Sequence, residues 1–214
     1  MRRKVAPRKT ISTFAFVVDG ETEIWYLQML KQNERGIRLN VEPEIPQKKA
    51  LEDQFDLVCV LAEGEYDSVY WIVDLDAIIK ESNEAISGTK TRLSYFNEMR
   101  VKLCNDYQKV KVIVNNPCLE FWFLLHFERT SKYYRNCSNV VRSLKKHLSG
   151  YEKTEKFFKK RNNDIYLQLK PFLHSAIKNA EALDPFELEN PERAICEMHE
   201  LFHCEEFKPC LMSR

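Results

Sequence analysis

The sequence predicts an α/β fold: a doubly wound, mainly parallel sheet of four strands, followed by a helical C-terminal extension. Apolar, β-branched runs without alternation recur up to residue 128, and segments with helical periodicity separate them. Such runs are typical of strands that are buried on both faces of a parallel sheet. Beyond residue 128 the strand signals end. We therefore expect an α/β core over residues 1–128, with a helical region over residues 129–214 packed on it.

The core alternates strands and helices, which favours parallel strands joined by crossover helices. The predicted strands are Thr13–Val18, Arg38–Ile45, Val69–Val73 and Lys109–Val114. The predicted helices are Glu21–Gln32, Leu51–Glu63, Thr91–Asp106 and Pro117–His126 in the core, then Asn139–Leu148, Ile165–Leu183 and Pro191–Phe202. Asn116 suits the N-cap of the fourth helix, and Pro117 suits its first turn.

Composition excludes few classes of function. The net charge is +1, so global electrostatics predict no partner. The seven cysteines are an odd number without a CxxC pair, which favours reduced thiols in a cytoplasmic protein. No apolar stretch approaches the ~20 residues of a membrane span, and the first apolar run is too short for a signal peptide. We expect a cytoplasmic protein that does not bind membranes.

Acidic residues follow two of the predicted strands. Asp74 and Asp76 come directly after Val69–Val73, and on an extended backbone residues two apart point the same way. Asp19 leaves the first strand at the same edge, with Glu23 in the helical turn after it. Carboxylates that converge at the carboxyl edge of a sheet suit hard divalent cations. The alternatives are that Asp74 and Asp76 cap a helix or shape a turn, and that Glu23 complements a helix dipole.

Glu120 is the exception in the apolar helix EFWFLLHF, which is apolar on nearly every face and should be buried. A carboxylate in such surroundings needs a cation or several hydrogen-bond donors, because an unpaired buried charge is costly. Two explanations stay open at this point. One is a structural salt bridge to an Arg or Lys, and the other is a role in a metal or active site.

The segment from His199 to His203 matches HExxH, the helical signature of zinc metalloproteases. The sequence given shows neither the HxxGxxH extension nor a third-ligand helix downstream. Ile195, Met198, Leu201 and Phe202 are spaced as the core stripe of a helix. We therefore expect a packed helix here and not a zinc protease.

Together these residues resemble the RloB-like family of the Toprim superfamily over most of the chain. The matching motifs are Asp19-Gly20 with Thr22-Glu23; Asp74 with Asp76; Asn116-Pro117-Cys118 with Glu120, Trp122, His126 and Phe127; Tyr151 with Lys153; Ala176-Ile177 with Asn179-Ala180; and Asn190-Pro191. The Asn-Pro-Cys block is the specific part of this resemblance, whereas an Asp-x-Asp pattern is weak alone.

The resemblance implies a Toprim-like core that holds Mg²⁺ or Mn²⁺ for phosphodiester chemistry. The metal ligands would be Asp19, Glu23, Asp74, Asp76 and Glu120, and Lys153 would stabilise charge on the phosphate. It further implies a nuclease acting on DNA or RNA in an anti-phage or restriction-linked system, beside a partner ATPase. The alternative is a non-catalytic module that binds nucleic acid, a nucleotide or that ATPase. Asp19, where the superfamily has Glu, and the near-neutral charge favour this alternative.

Overall fold

The computed structural model describes residues 12–18, 20–34, 40–42, 50–86 and 89–211. These residues form one sheet whose strands are β1 (Thr13–Val18), β2 (Asn40–Glu42), β3 (Ser68–Asp74), β4 (Val110–Asn116) and β5 (Ile195–Cys196). The spatial order is β2-β1-β3-β4-β5. The first four strands pair in parallel, and β5 runs antiparallel to β4. The predicted mainly parallel α/β sheet is confirmed, and it is consistent with a Toprim-like fold.

The helices connect and follow these strands. They are α1 (Glu21–Asn33), α2 (Leu51–Glu63), α3 (Leu75–Asn83), α4 (Arg92–Asp106), α5 (Leu119–Leu125), α6 (Cys137–Leu144), α7 (Glu155–Phe158), α8 (Ile165–Leu169), α9 (Leu173–Glu181) and α10 (His199–Phe202). Short 3₁₀ segments cover Lys170–Phe172 and Glu205–Leu211. Within the described part of the chain, no helix is both long and apolar enough to span a membrane.

The sheet separates two hydrophobic cores, which is the meaning of doubly wound. Val69, Trp71 and Val73 of β3 pack with α2, α3 and α4 on one face. Tyr70 and Ile72 point to the other face, because successive strand residues alternate sides, and pack with α1, α5 and the C-terminal helices. Both faces of β3 are therefore buried, as its unbroken apolar run predicts. The division of the chain at residue 128 stays a prediction.

Several predicted boundaries were wrong for identifiable reasons. The helix α3 was missed; it begins directly after β3 and buries Leu75, Ile78 and Ile79, a short stripe at helical spacing. The fourth core helix begins at Leu119 with Cys118 as its N-cap. Asn116 belongs to β4 instead, and its side-chain amide donates to the carbonyls of Pro191 and Arg193 at 2.7 and 2.8 Å.

The C-terminal helices were also predicted too long. Ile165–Leu183 is interrupted by Lys170–Phe172, a 3₁₀ segment that contains Pro171. Pro191–Phe202 contains β5 and only then the four residues of α10. In the predicted strand Arg38–Ile45, the structure describes Asn40–Glu42 as β2, and the remaining positions lie outside the described residues.

Candidate functional site

Carboxylates from four elements meet at the carboxyl edge of the sheet. Asp74 is the last residue of β3, Asp76 lies in the first turn of α3, Glu23 in the first turn of α1, and Glu120 in the first turn of α5. Glu23 and Glu120 are buried, and the Oδ1 atom of Asp74 is buried as well. The structure therefore brings together four of the five predicted metal-site acids. Asp19, the fifth, lies outside the described residues.

Three acids of this cluster, Glu23, Asp74 and Asp76, have raised pKa values. Burial, and then the carboxylate of Glu120, raises the pKa of Glu23 from 4.5 to about 7. Burial, followed by the charges of Glu23 and Glu120, holds the pKa of Asp74 well above its usual range. Burial also raises the pKa of Asp76. Like charges that are close and poorly hydrated destabilise one another. Protonation of an acid, or binding of a cation, would relieve this repulsion.

Asp74 is held on one side only. Its Oδ2 accepts a hydrogen bond from the backbone N–H of Leu119 at 3.2 Å, which ties β3 to the start of α5. Its Oδ1 has no hydrogen-bond partner among the described residues. Asn115 lies beside Asp74 in the register of β3 and β4, is fully buried, and both polar atoms of its side chain also lack a partner in that part of the chain. Unsatisfied buried oxygens beside carboxylates suit a bound cation or water.

Asp76 reaches the cluster from a helix, so the extended-backbone argument was wrong. Its Oδ1 accepts from the N–H of Ala77 at 2.8 Å, within the first turn of α3. The backbone N–H of Cys137 also opposes the rise in the pKa of this carboxylate. The backbone N–H of Asp76 donates to the carbonyl of Pro117 at 3.2 Å. Asp76 therefore stabilises the start of a helix, as the structural alternative predicts. Its side chain nevertheless lies at the edge of the carboxylate cluster.

Glu120 combines both explanations that its sequence left open. Its Oε1 lies 2.7 Å from Nζ of Lys153 and accepts a hydrogen bond from the hydroxyl of Tyr151 at 2.8 Å. The predicted salt bridge is therefore present, within a cluster of other acids. Burial lowers the pKa of Lys153, but the charge and hydrogen bond of Glu120, together with the charges of Asp74 and Glu23, outweigh it and leave that pKa raised. The side chain of Lys153 is 46% exposed, so this cation also faces solvent.

Two cysteines border the same cluster. Cys118 and Cys137 form a disulfide, with their Cα atoms 5.7 Å apart, so the expectation of reduced thiols throughout was wrong for this pair. Sγ of Cys137 lies 3.0 Å from Oε2 of Glu120 and 3.3 Å from Nζ of Lys153. The sulfur atoms and a Glu120 oxygen lie within 4.8 Å of one another. The described free cysteines are Cys59, Cys104, Cys196, Cys204 and Cys210.

Comparison with protein families now places the chain. A family model described as RloB-like protein matches residues 14–203. The chain belongs to the RloB-like family. Comparison with curated proteins and with solved structures gave no match. The match spans every described member of the carboxylate cluster together with Cys118, Cys137 and Lys153.

The RloB-like chain offers a donor set that suits a hard divalent cation. The donors of the cluster are carboxylate oxygens, with the amide oxygen of Asn115 beside them, and Mg²⁺ and Mn²⁺ prefer oxygen ligands. Gly20 keeps this space open, because a Cβ built on it would lie 2.8 Å from Oε2 of Glu23. Any larger residue there would displace the Glu23 carboxylate. The residues present therefore fit a Mg²⁺ or Mn²⁺ ion.

A cleft of about 920 Å³ opens beside Asp76 in the RloB-like protein. One side is formed by α3, including Lys80, and the other by the segment that carries Tyr133 and Arg135. Glu192 contributes a further acid to the lining. Lysine, arginine and tyrosine side chains are common contacts to nucleic-acid phosphates. The cleft provides room for an extended ligand to reach the carboxylates.

Sequence reasoning missed two members of the site. Tyr151 belongs to a motif of the family resemblance and Asn115 directly follows a predicted strand, but the sequence assigned neither of them a role. Asn115 is the residue of β4 that pairs with Asp74 of β3, and only the register between these two strands reveals this. Tyr151 is fully buried and lies two residues before Lys153, and both side chains reach Glu120.

The HExxH segment of the RloB-like chain lies apart from this cluster. His199 and His203 lie on and just after α10, with ring centroids 5.4 Å apart. Nε2 of His203 contacts Oε1 of Glu181 at 3.0 Å, and Nδ1 of His199 lies 3.2 Å from the carbonyl oxygen of Cys196. The predicted core residues Ile195, Met198, Leu201 and Phe202 are all buried, although Ile195 is in β5. That zinc plays no part here stays a prediction.

Proposed function

We propose that this RloB-like protein is a divalent-metal-dependent nuclease that hydrolyses phosphodiester bonds of DNA or RNA. The observation that supports the proposal is the meeting of Glu23, Asp74 and Glu120 at one sheet edge, where Glu120 raises the pKa of Glu23 and both glutamates raise the pKa of Asp74. A protein keeps such repulsion only where something offsets it, and strongly perturbed acids beside a cleft are typical of functional sites. The fold gives all of them a rigid base, because each lies at the start or end of a helix or strand.

The residues divide into three roles. Asp74 and Glu23 would hold Mg²⁺ or Mn²⁺ at the centre, with Asp76 and Glu120 completing the ligands and Asp19 as a further candidate from the sequence. The bound cation would neutralise the phosphate and activate water for attack on phosphorus. Lys153 would turn its half-exposed ammonium from Glu120 towards the phosphate as negative charge develops. Tyr151 would keep Glu120 oriented meanwhile.

The substrate would lie in the cleft beside Asp76. Lys80 and Arg135 are exposed on its two sides and would contact backbone phosphates on either side of the scissile bond. Such contacts carry no base specificity, so we expect cleavage with little sequence preference. They also make binding weaker as the salt concentration rises.

The test compares cleavage by the wild type and by Asp74→Asn. Labelled single- and double-stranded DNA and RNA are incubated with Mg²⁺ or Mn²⁺, and cleavage rates are measured. We expect the variant to be at least about a hundredfold slower, since losing even a partner of a metal ligand costs roughly 10–100-fold. Asp106→Asn, at the exposed end of α4, is the matched control and should cleave as the wild type does. Equal rates for Asp74→Asn and the wild type would refute the proposal.

One observation favours the alternative of a non-catalytic module. Lys153 and Tyr151 already satisfy Oε1 of Glu120, as they would in a site that needs no metal. A protein of that kind would bind nucleic acid, a nucleotide or a partner ATPase through the same cleft without cleaving. Nucleic-acid binding that Arg135→Ala weakens, with no cleavage under any of the conditions above, would support this alternative.

A further inference from the structure

The disulfide lies where it controls the geometry of the proposed metal site. Cys118 is the N-cap of α5, two residues before Glu120, and Cys137 is the first residue of α6. Cys137 faces the cluster through two groups: its backbone N–H lowers the pKa of Asp76, and its sulfur lies 3.0 Å from Oε2 of Glu120. A change in the bonding of this sulfur therefore acts directly on Glu120, and any shift of the Cys137 backbone acts on Asp76.

The segment between the two cysteines forms one wall of the cleft. Residues 128–136 join α5 to α6 without regular secondary structure, and Tyr133, Arg135 and Asn136 line the cleft beside Asp76. This wall is held by the packing of Tyr134 against Phe121, by the cap that Asn136 gives α6, and at its end by the disulfide. Opening the disulfide leaves only the noncovalent contacts.

The two cysteines differ in accessibility, which gives them different roles. Cys137 is partly exposed, whereas Cys118 is buried at 2% exposure. A small-molecule disulfide such as oxidised glutathione can reach the first but not the second. Thiol–disulfide exchange requires one attacking sulfur and one that later displaces the adduct.

We propose that Cys118 and Cys137 form a reversible redox pair, in which Cys137 reacts with the oxidant, Cys118 closes the disulfide, and closure fixes the cleft wall beside Asp76. In the first step the Cys137 thiolate attacks oxidised glutathione, forms a mixed disulfide and releases one glutathione. In the second step the Cys118 thiolate attacks the Cys137 sulfur and releases the other. The cysteines lose two electrons and two protons, and both glutathione molecules leave as thiols. The proposed effect on metal binding rests on the proposed function, whereas the redox chemistry does not.

The test traps the mixed disulfide. Reduced full-length protein is incubated with oxidised glutathione, and adducts are located by mass spectrometry after tryptic digestion. We expect Cys118→Ser to accumulate glutathione on Cys137, Cys137→Ser to leave Cys118 unmodified, and the wild type to form the 118–137 crosslink. Cys104→Ser, which removes an exposed cysteine far along α4, should behave as the wild type does. A wild type that forms no crosslink, or a Cys118→Ser variant without adduct, would refute the proposal.

Two further measurements connect the crosslink to the site. Amide hydrogen exchange at residues 133–137, without metal or nucleic acid, should be several-fold faster in the reduced protein than in the oxidised protein. Calorimetry should show that the reduced protein binds Mn²⁺ several-fold more weakly. Equal exchange in both forms would overturn the part of the proposal that concerns the wall. Stoichiometric zinc in the reduced protein, lost in Cys118→Ser, would assign the pair as metal ligands and also overturn the proposal. Absence of Mn²⁺ binding in both forms, with the crosslink and exchange as expected, would count against the proposed function alone.

Discussion

Two buried glutamates lie close to β4 and are stabilised in opposite ways. Glu197 follows β5; its Oε2 accepts from the N–H of Val114 at 2.9 Å, and its Oε1 accepts from the N–H of Phe186 at 3.1 Å. The guanidinium of Arg100 lies 3.9 Å from Oε1. Each oxygen of Glu197 therefore has a backbone donor, and a cation is close by.

Glu120 has a different environment. Its charged neighbours include Glu23 and Asp74, and Lys153, the cation that pairs with it among the described residues, is half exposed to water. Folding explains Glu197 fully, because the carboxylate joins β4 to the segment before β5. Folding alone does not explain why Glu120 is buried among acids. The hydrogen-bond donors separate the structural acid Glu197 from Glu120, which we propose to be functional, and burial alone would not distinguish them.

The largest stability change is expected for the structural acid. Glu197→Ala removes the acceptor of two buried backbone N–H groups and leaves Arg100 without this partner. An unsatisfied buried donor costs about 1–3 kcal/mol, so the free energy of unfolding should fall by about 3–5 kcal/mol. Urea denaturation in EDTA measures it. Glu189→Ala, an exposed residue nearby in the sequence, is the control and should change stability little. A loss below about 1 kcal/mol for Glu197→Ala would show that Glu197 is not the structural acid that we infer.

The next largest effect is the pH dependence of stability that the acids of the proposed metal site cause. The pKa of Glu23 rises from 4.5 to about 7 on folding, so between these values the folded protein retains a proton that the unfolded chain has released. The contribution of Glu23 to the free energy of unfolding of the metal-free protein is therefore greatest below about pH 4.5. This contribution, roughly 3 kcal/mol, is lost as pH rises through about 7. The raised pKa of Asp74 acts in the same direction.

The measurement is the unfolding free energy in EDTA at pH 5 and pH 8, for the wild type and Glu23→Gln. The variant should lose markedly less stability between the two values, because its amide does not titrate. Glu21→Gln, an exposed neighbour in the same helical turn, should keep the wild-type pH dependence. If Glu23→Gln shows the same pH dependence as the wild type, Glu23 does not carry the expected repulsion.

The sequence was sufficient for features that depend on local pattern. Burial on both faces requires an apolar side chain at every position, so Val69–Val73 identified β3. Acids that follow such strands identified Glu23, Asp74 and Asp76 as neighbours, and the family resemblance added Glu120. The helix α3 was missed because its nine residues begin at the strand end itself, where the acids resemble a turn. The side chains of Asp74 and Asp76 still converge, but from the end of a strand and the first turn of a helix and not from one extended backbone.

Other features depend on contacts between distant residues, which no local pattern of the sequence indicates. The strand β5 exists because Ile195 and Cys196 pair with Asn116 and Asn115 of β4, although their neighbours have helical spacing. The disulfide joins cysteines 19 positions apart, in a chain whose odd cysteine count favoured free thiols. The role of Asn115 depends on its register with Asp74. Each of these became visible only in the folded arrangement.

The smallest stability change is expected for Glu120→Gln, and its sign tests the comparison directly. The substitution removes one negative charge from the cluster and keeps the shape of the side chain. Tyr151 can still donate to the remaining carbonyl oxygen. Lys153 loses its ion pair, but its side chain is 46% exposed, so water can hydrate the freed ammonium. Relief of repulsion from Glu23 and Asp74 should match or exceed that loss.

In EDTA, Glu120→Gln should therefore have a melting temperature equal to or above that of the wild type. Added Mn²⁺ should raise the melting temperature of the variant less than that of the wild type. The matched control is Glu197→Gln, the same substitution at the structural acid, which should lower the melting temperature because its amide presents N–H towards a backbone N–H. A large drop for Glu120→Gln without metal would mean that the ion pair with Lys153 supports the fold. In that case Glu120 would be structural like Glu197, and the metal site would have to be built from Glu23, Asp74 and Asp76 without it.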